Sequence, residues 1–178
     1  MVERGLAGAV LGELPVRPDV VMQPIPEYVT EKCKANDRAD LEFSFAGATE
    51  PKTFDTTVVN TMAKSNTPRK AVVVLRAKFK KKTEKYEGAY ADFSPYVVNI
   101  LGSPCPDSRG ALRAFVKNSL SRTVTGLMDA DDVAVSRVAA AIRLRTAFAV
   151  VRALGEELFR NSRRGQEKWW RCDGRGVG

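Results

Sequence analysis

Apolar and polar positions change their rhythm about two thirds of the way along the chain. Up to residue 102 the short apolar runs are spaced as strands and turns, and from Asp107 to about Asn161 the spacing is helical. Gly5, Gly8 and Gly12 with Pro15 and Pro18 punctuate a first hairpin, and Pro24 and Pro26 close the next apolar run, Val20 to Ile25. Leu41 to Phe45 alternates as L-E-F-S-F, and Thr53 to Met62 is rich in Thr and Val, so both predict half-exposed strands. The segment K-A-V-V-V-L-R-A-K-F-K-K-K, Lys70 to Lys82, is entered through the turn signal Asn66-Thr67-Pro68 and predicts a further strand. On a strand, Val73, Leu75, Ala77 and Phe79 would face one side and Arg76, Lys78 and Lys80 the other. A Lys-rich turn through Glu87-Gly88 then leads to an antiparallel partner, Ala89 to Leu101, where Pro95 predicts an edge position.

Two helices follow. The first starts after Pro104 and Pro106, with Asp107 or Ser108 as N-cap, and Leu112, Phe115, Val116, Leu120, Val124 and Leu127 fall at helical spacing. The second opens on Asp129, Asp131 and Asp132 and closes on Arg160, Arg163 and Arg164, a charge order that suits the helix dipole. Its roughly 28 residues would reach about 42 Å, longer than a domain of this size needs for itself. Such a helix meets another subunit. One domain over residues 1–162 is predicted, β-rich over 1–102 and helical over 107–161, with 163–178 a basic tail carrying Trp169 and Trp170.

Charge sharpens this picture. Residues 1–60 hold 6 basic and 10 acidic side chains, so the net +8 of the 178 residues comes entirely from the remainder. Clustered cations attract a polyanion, nucleic acid or an anionic membrane surface, although a net positive charge also serves ordinary solubility. Cys33, Cys105 and Cys172 are odd in number and far apart, which predicts free thiols and neither disulfide framework nor zinc site. The N-terminus lacks the basic and apolar regions of a signal peptide. The longest lipophilic stretch, Val133 to Phe159, carries Arg137, Arg143, Arg145 and Arg152, so no membrane span is expected.

Candidate chemistry is sparse. With no histidine the commonest general base and the usual nucleophile pairs are missing, and no glycine-rich phosphate loop is present. The reading is therefore of a non-enzyme with no cofactor and no metal. Arg76, Lys78 and Lys80, followed by Lys82, would project at about 6.6 Å intervals on a strand, close to the phosphate spacing of a nucleic-acid strand. Tyr90, with Tyr86 and Tyr96, would be available to stack on unpaired bases, the alternative being packing in a core or interface. Arg137, Arg145 and Arg152 form a stripe on the second helix, facing either phosphates or a neighbour's carboxylates.

The ordered segments P-R-K-A-V-V-V-L-R-A-K-F (Pro68 to Phe79), A-Y-A-D (Ala89 to Asp92) and R-A-F-V-K-N-S-L (Arg113 to Leu120) resemble the coat proteins of single-stranded RNA bacteriophages of the levivirus type. The resemblance covers under a third of the chain. It implies an α+β fold in which an antiparallel meander sheet is followed by two C-terminal helices, with two subunits interlocked as a dimer. It further implies a closed virion shell assembled in the host cytoplasm, with single-stranded genomic RNA on the inner sheet face. Repression of translation through an RNA hairpin is a further implied role. RNA-contacting residues on this reading are Arg76, Lys78, Lys80, Lys82 and Tyr90. The second helix and the acidic N-terminal region depart from the coat pattern. A cellular RNA-binding component of a ribonucleoprotein particle is the other reading.

Overall fold

The computed structural model describes residues 2–15, 17–26, 37–46, 48–66, 70–123 and 131–173, with the side chains of the last helix described as far as Ser162. The elements run α1 (Val2–Glu13), β1 (Asp19–Met22), β2 (Leu41–Ser44), β3 (Lys52–Val59), a short 3-10 turn (Lys64–Asn66), α2 (Ala71–Tyr86), β4 (Asp92–Asn99), α3 (Pro106–Thr123) and α4 (Asp132–Asp173). The class is α+β with two C-terminal helices, as expected. The sheet, however, is mixed. Its strands lie in the order β1-β2-β3-β4, antiparallel for the first two pairings and parallel for β3 with β4.

That parallel pair explains the largest departure from the sequence reading: the basic segment expected as a strand over Lys70 to Lys82 is the helix α2. Two parallel strands need a crossover of a dozen or more residues, usually helical. Arg, Ala, Lys and Glu dominate the segment after Leu75 and are good helix formers, so the β-branched Val72 to Val74 start is overridden. Burial confirms the helical period, with Val74, Leu75 and Tyr86 buried and Phe79 and Lys82 partly so. The strand reading of alternating faces is thereby corrected.

Residues 2–13 form helix α1 in place of the expected hairpin. Leu6, Val10 and Leu14 recur at helical spacing and are buried. Gly5 belongs to a close helix contact, since a Cβ there would stand 2.5 Å from the Cβ of Ala149 on α4. The cost of a glycine inside a helix, about 1 kcal/mol, is offset by that approach.

Alternation along β2, β3 and β4 sends Leu41, Phe43, Phe54, Tyr96 and Val98 to one face, where α1, α3 and α4 cover them. Each such side chain removed from water contributes roughly 2 kcal/mol. Phe115 of α3 sits edge-on to Phe54 at 5.6 Å and 85°, keying α3 into this layer. The opposite face, through Val59 and Val97, takes Leu75 and Phe79 of α2. Pro95 is tolerated because β4 is an edge strand. Ser108, expected as a cap, instead accepts from Val97 N at 3.0 Å and lies 3.2 Å from Pro95 O, locking α3 to β4. Asp131 caps α4, its carboxylate accepting from Val133 N at 3.0 Å.

Helix α4 has 42 residues, about 63 Å, and continues to Asp173 where a loose tail was expected from Arg163. The side chains of Trp169 and Trp170, like Cys33, Cys172, Asp129, Gly47 and the Thr67-Pro68 part of the turn signal, lie outside what the structure describes.

Candidate nucleic-acid interface

A helix distributes the basic residues of α2 differently from a strand. At 3.6 residues per turn, Arg76 and Lys80 share one face and Lys78 and Lys82 point to the other side. Arg76 and Lys80 are exposed, with Lys81 beside them, whereas Lys78 is half-buried. Arg76 Nε lies 3.4 Å from Asp107 of α3, and Lys80 stands 3.8 Å from Glu84. Both contacts are loose and exposed, so these cations stay accessible to a polyanion.

Lys82 and Tyr90 are taken up in the protein's own packing. Lys82 Nζ lies 2.6 Å from Oδ2 of Asp55, a carboxylate with only 3% of the residue exposed. The Tyr86 hydroxyl is 3.1 Å from the other oxygen of Asp55 and 2.9 Å from the carbonyl of Arg38, one proton serving two acceptors. Burial pushes the Asp55 carboxyl above its usual range, against the lowering effect of Lys82, and burial beside Asp55 pushes the Tyr86 phenol up as well. Tyr90 donates to Pro24 O at 3.0 Å and accepts from Ala39 N at 2.9 Å, so its hydroxyl ties two separate segments together. Its ring stacks on Phe93 and tilts against Tyr86. Tyr96 is wholly buried, and its phenol is pushed up to about 12 by burial. Among the described residues that hydroxyl makes no hydrogen bond of good geometry, and Thr146 and Arg143 are its polar surroundings.

The arginine stripe of α4 meets carboxylates of its own chain. Arg145 Nε pairs with Glu13 at 2.6 Å and Arg152 Nε with Glu156 at 2.9 Å, while Arg137 is exposed.

A basic cluster that the sequence reading missed lies on α3 and α4. Arg109, Arg113 and Lys117 follow at i, i+4 and i+8 on α3, which sets them in a row along one helix side, all exposed. Arg109, Arg113 and Arg143 of α4 line one cleft of about 200 Å³ together with Gly110, Ser136 and Ala139. Arg113 reaches Asp132 at its rim, 3.2 Å away. Arg109 and Arg143 also border a broader groove of about 530 Å³, walled by Ala71, Val72 and Leu75 of α2 and floored by the β4–α3 connection. The four-residue spacing R-x-x-x-R-x-x-x-K on a segment expected to be helical was the available signal; the part no local pattern carries is Arg143, which the packing of α4 against α3 brings to the same cleft.

Cys105 is buried, and burial pushes its thiol up, which disfavours a thiolate nucleophile. Among the described residues no group of three His, Cys, Asp or Glu side chains is placed to hold a metal ion, and no helix is long and apolar enough to cross a membrane.

The chain matches no protein-family model, no curated protein and no solved structure.

Proposed function

We propose that this protein packages nucleic acid without catalysing a reaction, in the manner of the coat protein of a single-stranded RNA bacteriophage. On this reading it pairs with itself, the dimers close into a shell in the host cytoplasm, and a cationic face lies against the enclosed RNA. The observation that carries the proposal is the convergence of Arg109, Arg113 and Arg143 on one cleft, with Arg76 close by at Asp107. Arginine presents a planar fork of donors that matches a phosphate's oxygens, and it keeps its charge at any working pH. RNA contact is thus assigned to Arg76, Lys80 and the α3–α4 arginines, with Lys78 at the margin.

Helix α2 alters how the coat likeness is carried. What supports that likeness now is the order of a basic segment, an aromatic strand and a first C-terminal helix, while the RNA face moves from sheet to helices. The mixed sheet departs from the antiparallel meander of the coat likeness, which keeps a cellular ribonucleoprotein component as the second reading. Expression of the full chain alone in bacteria, followed by negative-stain electron microscopy and absorbance at 260 and 280 nm, separates the outcomes. Uniform closed particles containing RNA are expected. RNA-bearing small oligomers would favour the cellular component, and protein free of nucleic acid would overturn packaging altogether.

A further inference from the structure

We infer that α4 is a self-recognition helix whose outward seam pairs with the same seam of a second copy of this chain. The inference rests on the packaging reading for its purpose, because a shell must be built from self-associating units; its geometry stands apart from RNA binding.

Helix α4 has two apolar faces. Val135, Ala139, Ile142 and Val150 are buried against the body of the protein. On the other side Leu144, Phe148, Val151 and Leu158 are 59%, 67%, 50% and 71% exposed. With Ala141 and Gly155 they occupy positions 141, 144, 148, 151, 155 and 158, alternating steps of three and four, which is the heptad seam of a coiled coil. Exposed apolar residues scattered singly need no explanation, but a continuous row at this spacing marks an interaction surface.

The helix also outruns its support. From Gly155 to Ser162 every residue is exposed, and α4 continues helical to Asp173. Over those eight residues, about 12 Å of helix, the exposed seam gains by packing against a second element.

The second copy fits better than any other occupant. Among the described residues no other helix carries an exposed apolar row at heptad spacing. A two-fold pair brings the same patch to itself, and a heptad seam is complementary to its own copy. Four large side chains at this exposure present on the order of 400 Å² per chain, and with the flanking alanines two copies would remove roughly 1,000 Å², about the lower bound for a specific interface. Charge permits the approach. Arg145 and Arg152, which flank the seam, are already paired with Glu13 and Glu156 of their own chain. Gly155 has no atom within 4 Å of where its Cβ would stand, leaving room for a neighbouring backbone or the Phe148 ring of the partner copy.

The test is sedimentation equilibrium of the full-length chain, nuclease-treated and in salt high enough to strip RNA, at micromolar concentration. The wild type is expected at twice 19.5 kDa, and Phe148→Glu combined with Leu158→Glu at the single-chain mass. Phe148→Ala with Leu158→Ala, which keeps good helix formers at both sites, is expected to weaken the dimer at least tenfold. A single-chain wild type across the range, or a Glu variant that pairs as tightly as the wild type, overturns the inference. RNA binding is measured separately on the same samples. A dimer that binds no RNA sinks the packaging reading alone, and RNA binding by an obligate single chain sinks the seam alone.

Discussion

Lys82 shows how a residue's role is decided by a partner far away in sequence. Nothing distinguishes it locally from Lys80 or Lys81, yet helical phasing turns it inward to Asp55, 2.6 Å away on β3, while its neighbours face water. The side chains of this pair are 20% and 4% exposed, so removing one partner strands a charge in a poorly solvated site. Lys82→Met is expected to cost about 3 to 5 kcal/mol at neutral pH. The loss should depend on pH. Lys82 is what holds the Asp55 carboxyl down against burial, so without it the folded-state pKa rises further above the unfolded value. A raised carboxyl contributes stability below its unfolded pKa that is lost as pH rises through the folded one. Urea unfolding of wild type and variant should therefore diverge from pH 5 to pH 8, and a constant difference would show that the pair is not the cause. Tyr90 follows the same logic: its hydroxyl serves Pro24 and Ala39, contacts that no local pattern reveals.

Elements whose hydrophobic period matches their own burial were legible. Leu41 to Phe45 contains β2, the Thr- and Val-rich run contains β3, and the helical spacing after Pro106 is α3. Two elements were not, and both depend on tertiary arrangement. Helix α2 is required by parallel pairing of β3 with β4, a relation between segments that the period of α2 alone does not carry. Helix α1 hides behind glycines, two of which, Gly5 and Gly12, lie against α4. A third glycine marks the join between β4 and α3. Gly102 has φ +78°, and a Cβ there would stand 2.5 Å from both Cα and Cβ of Ala147 on α4. Its N–H bonds to Asn99 O at 2.9 Å, and the Asn99 side chain accepts from Leu101 N and Ser103 N, so the turn has little freedom to adjust. Gly102→Ala adds left-handed strain to a clash with helix backbone and is expected to cost about 2 to 4 kcal/mol. A lowered urea midpoint at unchanged slope would register this. Wild-type stability would mean that the β4–α3 turn does not press on α4.

At the scale of the whole molecule, the sequence showed the sign of the charge and the last two thirds of the chain as its carrier, but not the surface on which it gathers. The strand reading grouped Arg76 with Lys78 and Lys80; the fold keeps Arg76 with Lys80, turns Lys78 away from them, and assembles Arg109, Arg113 and Arg143 from two helices. Only cations on the RNA face add phosphate contacts, so arginines inside and outside the α3–α4 cleft should differ sharply in their effect. On single-stranded nucleic acid each phosphate contact adds about 0.7 to the slope of log affinity against log salt. Arg109→Ala with Arg143→Ala should therefore lower that slope by about 1.4 and weaken binding most at low salt. Arg152→Ala, which removes a cation outside that cleft, paired with Glu156 at 2.9 Å, should leave the slope unchanged. Fluorescence anisotropy with a labelled single-stranded RNA across a salt series makes the comparison. Equal slopes for all three proteins would move the RNA face away from the α3–α4 cleft, whereas a drop confined to the double variant would fix it there and make Arg113 the next residue to change.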